Sequence, residues 1–133
     1  MTVTAYTAQQ AAIVNLPSGG GPAVIVLLRL PTTGIFVVFG KVIVQSLASP
    51  TVSQVIATTL TTLDGTNNLD QVVTSLVPAE YACVSLQGIL NLSAGNTNEI
   101  VDIRYSAQGS NPASAIYGSL IAIPVDAVSG SVA

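Results

Sequence analysis

The side chains able to do acid–base or nucleophilic chemistry in this 133-residue chain are few: three Lys or Arg, six Asp or Glu, one Cys and no His. Without an imidazole, neither a Ser–His nor a Cys–His pair can form, and a His-ligated metal is excluded. Carboxylate pairs are the remaining acid–base option. Glu99 and Asp102 are three residues apart, which puts them on opposite faces of a strand. Asp102 and Arg104 share a face, about 6.8 Å apart along an extended backbone. That pair reads either as an ion-pair ladder to a neighbouring strand or subunit, or as a polar contact for a bound sugar. Lys41 is the single charge in an apolar stretch. It either snorkels from a strand end or pairs with a carboxylate across an interface; a nucleophilic role would need a pocket and a depressed pKa. Cys83 has no cation near it in sequence and reads as a structural thiol. Asp64 and Asp70 supply too few oxygens for calcium. Tyr81, Tyr105 and Tyr117 are core or interface anchors, or else platforms for sugar stacking. The ligand-contacting set these residues offer is Tyr81, Asp102, Arg104 and Tyr105. An enzyme is not expected, nor a cofactor or metal.

The elements that must hold these side chains are strands. From Glu80 to Val125 the chain reads as three strands joined by turn residues. In the first, Ala82, Val84, Leu86, Gly88, Leu90 and Leu92 alternate with Tyr81, Cys83, Ser85, Gln87, Ile89 and Asn91, the period-two pattern of a half-buried strand. In the second, Val101, Ile103 and Tyr105 oppose Ile100, Asp102, Arg104 and Ser106. In the third, Ala115, Tyr117, Ile121 and Ile123 oppose Ile116, Leu120 and Ala122, so both faces are apolar. Such a strand lies under a second layer or a neighbouring subunit.

Upstream, Val3–Tyr6 alternates weakly and Ala11–Leu16 reads as a short strand. The Gly/Pro block 17–22 lacks the Lys-Ser/Thr and helix of a phosphate cradle and reads as a loop. Strands follow at Ala23–Leu30, Ile35–Gln45, Val55–Leu63 and Leu69–Leu76. An Asp64-Gly65 turn, lengthened by Thr66, Asn67 and Asn68, separates the last two. In Ile35–Gln45, Ile35, Val37, Phe39 and Ile43 oppose Phe36, Val38, Val42 and Val44. No apolar stripe at helical spacing is visible, which predicts an all-β, antiparallel fold.

Composition sets the bounds. Charged residues are 7% of the chain and apolar ones 50%, against about 25% charged in an ordinary soluble domain. A net charge of −3 with three cations excludes a nucleic-acid-binding field. It argues equally against an anionic membrane surface, and no apolar run reaches the roughly 18 residues of a spanning helix. The N-terminus shows no basic region followed by an apolar core, so no secretory signal is read. A lone cysteine rules out an intrachain disulfide. The expectation is one domain over 1–133, with Asp126–Ala133 a frayed tail. So little charge and so many two-faced apolar strands imply self-association.

At these residues the chain resembles a family. The strand from Ala82, its Gly/Asn turn, the Ile100–Ser106 strand and the closing Y-G-S-L-I-A-I (Tyr117–Ile123) look like the second half of a C1q/TNF-like jelly roll. Pro31–Val38 is similar to the P-x-x-G-x-Y/F segment entering that family's long central strand. The closing strand also looks like that of bacterial TNF-like fucose-binding lectin domains. The resemblance covers residues 30–125. It implies a jelly-roll β-sandwich that forms a homotrimer and binds ligands at loops or in grooves between subunits. It also implies that Ile35–Val44 and Ala115–Ile123 lie near the threefold axis, with Phe36, Val38, Tyr117, Leu120 and Ile121 at the subunit contact. The function implied is a trimeric, carbohydrate-binding recognition module. The alternative is a self-assembling structural protein, such as a spore, appendage or shell component, with no small-molecule ligand.

Overall fold

The computed structural model describes residues 4–10, 12–16, 22–47, 54–62, 67–77, 80–92, 99–107 and 113–126. They form nine strands: β1 (Tyr6–Gln9), β2 (Val14–Leu16), β3 (Ala23–Leu30), β4 (Gly34–Ser46), β5 (Gln54–Thr62), β6 (Asn67–Leu76), β7 (Tyr81–Leu92), β8 (Glu99–Ala107) and β9 (Ala113–Val125). Residues 17–21 of the Gly/Pro block, the Asp64-Gly65 turn and residues 127–133 of the expected tail lie outside the described residues.

All pairings are antiparallel. One sheet runs β1-β9-β4-β7, with β2 also paired to β9; the other runs β3-β8-β5-β6. Successive strands from β6 onward alternate between the two sheets, giving the antiparallel sandwich that the strand patterns predict and the jelly roll that the resemblance implies. The expected boundaries hold for Ala23–Leu30 and shift by a residue or two elsewhere. The exception is the amino-terminal region: the weak alternation of Val3–Tyr6 gives way to a strand at Tyr6–Gln9, held by its partner β9 rather than by its own pattern. Tyr6 faces inward there, its ring edge-on to Phe36 at 6.1 Å.

Alternation decides what fills the space between the sheets. Phe36, Val38, Val42 and Val44 of β4 meet Val84, Leu86, Leu90 and Leu92 of β7 and Leu120 and Ala122 of β9, all buried. From the opposite sheet come Leu30, Ile56, Leu60, Val101, Ile103 and Tyr105. Burial of this order, at roughly 1.5–3 kcal/mol per large side chain, is what drives the two layers together.

Three bulges disturb the alternation. Ile43 pairs with Tyr117 but Val44 pairs with Ala115, leaving Ile116 as the extra residue. Ala115 is therefore buried while Tyr117 is exposed, so the two do not share a face as simple alternation predicts. In β3, Ile25 is the extra residue between Val24 and Val26. In β6, Leu60 pairs with Asp70 and Thr61 with Asn68, so Leu69 is the inserted one. Asn68 itself is thus strand, not loop. At the entry to β4 the chain turns through Gly34, whose φ of +134° is open to glycine at little cost.

Candidate functional site: the outer face of the β1-β9-β4-β7 sheet

The solvent side of this sheet is built from the residues that alternate with the core. Register places them in rows across β9, β4 and β7: Ile123–Val37–Ile89, Ile121–Phe39–Gln87, Ser119–Lys41–Ser85 and Tyr117–Ile43–Cys83. On β1, Thr7 adjoins Ile121 and Gln9 adjoins Ser119. Phe39 is 44% exposed, Ile89 52%, Tyr117 39% and Ile121 40%. A contiguous surface of this kind normally marks a contact site.

One polar row crosses it. Lys41 stands at its centre between the Ser119 and Ser85 positions. Among the described residues, no carboxylate lies within ion-pair distance of Lys41. Beside the row is an open depression of about 550 Å³ whose lining includes Phe39, Lys41, Asp70, Ser85, Gln87 and Ile121. Asp70 reaches it from β6, in the other sheet. Its carboxylate accepts the Gln71 backbone N–H at 2.8 Å and the Gln87 backbone N–H at 3.0 Å. Leu69, displaced by the bulge, packs at the same seam over Gly88, where an added Cβ would lie 2.8 Å from that of Leu69.

The four residues proposed to contact ligand occupy three separate places. Asp102 and Arg104 do pair, but within β8, on the outer face of the four-stranded sheet: Arg104 Nε and Nη2 donate to the Asp102 carboxylate at 3.0–3.2 Å. The Thr61 hydroxyl donates to the same carboxylate. Asp102 is only 3% exposed, so the carboxylate is occupied from both sides. Tyr105 points the other way, into the sandwich, where its hydroxyl donates to the Val14 carbonyl at 2.5 Å. Burial pushes its pKa up to about 12. A ring in that position has no face to offer a sugar. Tyr81 lies on the outer face of the opposite sheet, beside Gln45 at one end of β7, and is 56% exposed.

The expected subunit-contact set divides in the same way. Tyr117 and Ile121 face outward. Phe36, Val38 and Leu120 face the core, with exposures of 1%, 0% and 1%. Strand parity requires this: once Phe39 faces solvent, Phe36 and Val38 cannot. The outward residues Val37, Phe39, Ile43 and Ile89 complete the face. Their alternation was visible in the sequence, but which side is outward depends on the cross-strand register. Cys83 lies exposed in the lowest row. Among the described residues, no group of three or more acidic, His or Cys side chains could hold a metal.

No family profile matches the chain, and no curated protein sequence does. Similar solved structures carry the comparison instead. The Eiger TNF of S. frugiperda superposes with a TM-score of 0.63 at 11% identity, covering 100% of this chain and 99% of that one. Murine APRIL does so with a TM-score of 0.58 at 13% identity, covering 93% and 100%. A chain of the T13 IBDV viral particle gives 0.60 at 13% identity; the likeness covers 92% of this chain and 31% of that one. At these identities what is shared is the fold, a C1q/TNF-like jelly roll.

Proposed function

We propose that this chain is a homotrimeric, non-enzymatic recognition module of the C1q/TNF-like kind, assembled through the outer face of the β1-β9-β4-β7 sheet. The observation that carries the reading is that face: Phe39, Ile89, Tyr117 and Ile121 lie together in its rows, each at least 39% exposed in the single chain. An apolar sheet face left in water invites association. The fold shared with Eiger TNF and APRIL supports a threefold arrangement. Sedimentation equilibrium should give a mass about three times the 13.4 kDa of the chain. A well-folded monomer at micromolar concentration overturns the proposal.

Carbohydrate is the ligand class proposed. The surface offers hydroxyl and amide groups with few charges, and Tyr81, at one end of the face, exposes an aromatic ring. Asp102 and Arg104 are not part of this reading, since each engages the other. Glycan-array binding by the assembled protein tests it.

A second reading is favoured by one observation, the likeness to a chain of an icosahedral particle over 92% of this chain. On that reading the protein is a structural component whose assembly is its function. Ordered polymers or shells in electron micrographs, with no glycan bound, would select it.

A further inference from the structure

The apolar face carries one ammonium group at its centre, and an interface formed there would bury it. An uncompensated charge in such a contact is strongly unfavourable, and an anion brought by the partner surface would offset it. The described carboxylates are Asp70, Glu80, Glu99, Asp102 and Asp126. Asp102 is held by Arg104 and Thr61. Glu99 sits opposite Leu30 in the other sheet and has a partner of its own. Glu80 and Asp126 flank the two ends of the face, next to the Gln45–Tyr81 and Ile35–Val125 pairs. Asp70 alone stands at the middle of the sheet's edge, held level with Gln87 by a hydrogen bond to its backbone N–H.

A ring of three copies has heterologous contacts, in which one patch meets a different patch on the next molecule. A sheet face and the edge beside β7 are two such patches. One carries an unpaired cation and the other an anchored anion.

On the reading that the outer face is the subunit contact, we propose that Lys41 of one copy pairs with Asp70 of the adjoining copy. The pair fixes which height of the β6–β7 edge settles on the face. Ser85 and Ser119 flank Lys41 in its row and supply further hydrogen-bonding groups for the incoming carboxylate. Charge complementarity of this kind acts mainly on register and partner choice.

The test is a charge swap followed by analytical ultracentrifugation over a concentration series, with circular dichroism to confirm that each variant retains its strands. Lys41→Glu and Asp70→Lys should each raise the concentration for half-dissociation by about tenfold or more. The double swap should return it to within about threefold of wild type. Asp70→Asn keeps an oxygen for the Gln87 N–H while removing the charge, and should also weaken assembly. It keeps the inference testable if Asp70→Lys does not fold. If wild type assembles but Lys41→Glu and Asp70→Asn assemble equally well, or the double swap restores nothing, the pairing is wrong while the face remains the contact. If wild type is a monomer, the underlying reading fails and the pairing with it.

Discussion

The Asp70 carboxylate accepts the backbone N–H of Gln87 at 3.0 Å, fastening the edge strand of one sheet to the edge strand of the other. Without it, the outward N–H of β7 would be open to pairing with another chain. An inward-turned charge at a sheet edge is one of the means by which β proteins protect such edges.

Gly88 belongs to the same seam. Its missing Cβ leaves room for Leu69, and an alanine methyl would come within 2.8 Å of the Leu69 Cβ, an atom with no rotamer freedom to escape. Gly88→Ala should therefore lower stability by about 1–3 kcal/mol. Urea unfolding at fixed protein concentration measures this, and an unchanged midpoint would show that the seam has slack.

Thr58 lies fully buried on the inward side of β5, and its hydroxyl has no hydrogen-bond partner among the described residues. Thr58→Val replaces that hydroxyl with a methyl of similar shape. A gain of about 1 kcal/mol is expected from removing the unsatisfied group. A loss of stability on denaturation would mean the hydroxyl is satisfied in solution.

Tyr105 gives the alkaline limb of stability. Its pKa in the fold, about 12, exceeds the roughly 10 of an exposed tyrosine, so folding favours the protonated form. The resulting stability is complete below about pH 10 and disappears as pH rises through the folded value, a loss of up to roughly 2–3 kcal/mol. Tyr105→Phe should cost about 1 kcal/mol near neutrality, where the Val14 bond is lost. It should also lose less stability than wild type between pH 9 and about 11.5. Parallel curves for the two proteins would contradict the assignment.

Leu120 and Ile121 are neighbours in sequence with opposite surroundings. Leu120→Asp puts a carboxylate into the core and should abolish folding. Ile121→Asp places it on the outer face and should leave a folded sandwich that no longer self-associates. Circular dichroism together with native mass separates the two; a folded Ile121→Asp with the native mass of wild type would mean the outer face is not a contact.

Much of this fold was legible in the sequence because alternation of polar with apolar residues marks both a strand and its inward face. The inward set of β7 was readable to the residue, and Ala23–Leu30 to its ends. What escaped depended on the partner strand. The bulge at Ile116 reverses the face of Ala115, and no residue type in that stretch announces it. Tyr105 and Tyr81 look equally suited to stack on a ligand until register sends one into the core and the other out. The Asp70–Gln87 bond joins residues in different sheets, so no local pattern signals it. That Asp102 and Arg104 share a face was visible from their spacing, but not that they pair with each other within β8 or that the Thr61 hydroxyl joins them.

The last described strand, β9, lies inside its sheet, between β4 and the amino-terminal β1 and β2. Tyr6 waits for Ala122 and Val14 for Ala115, partners roughly a hundred residues downstream. Closing loops of that length must precede the contacts that reward it, which places this topology among the slow folders of high contact order. Until β9 arrives, β4 offers a long, unpaired, apolar edge. The hazardous interval in the life of this protein is therefore its synthesis, when the strand that will seal the sheet has yet to emerge.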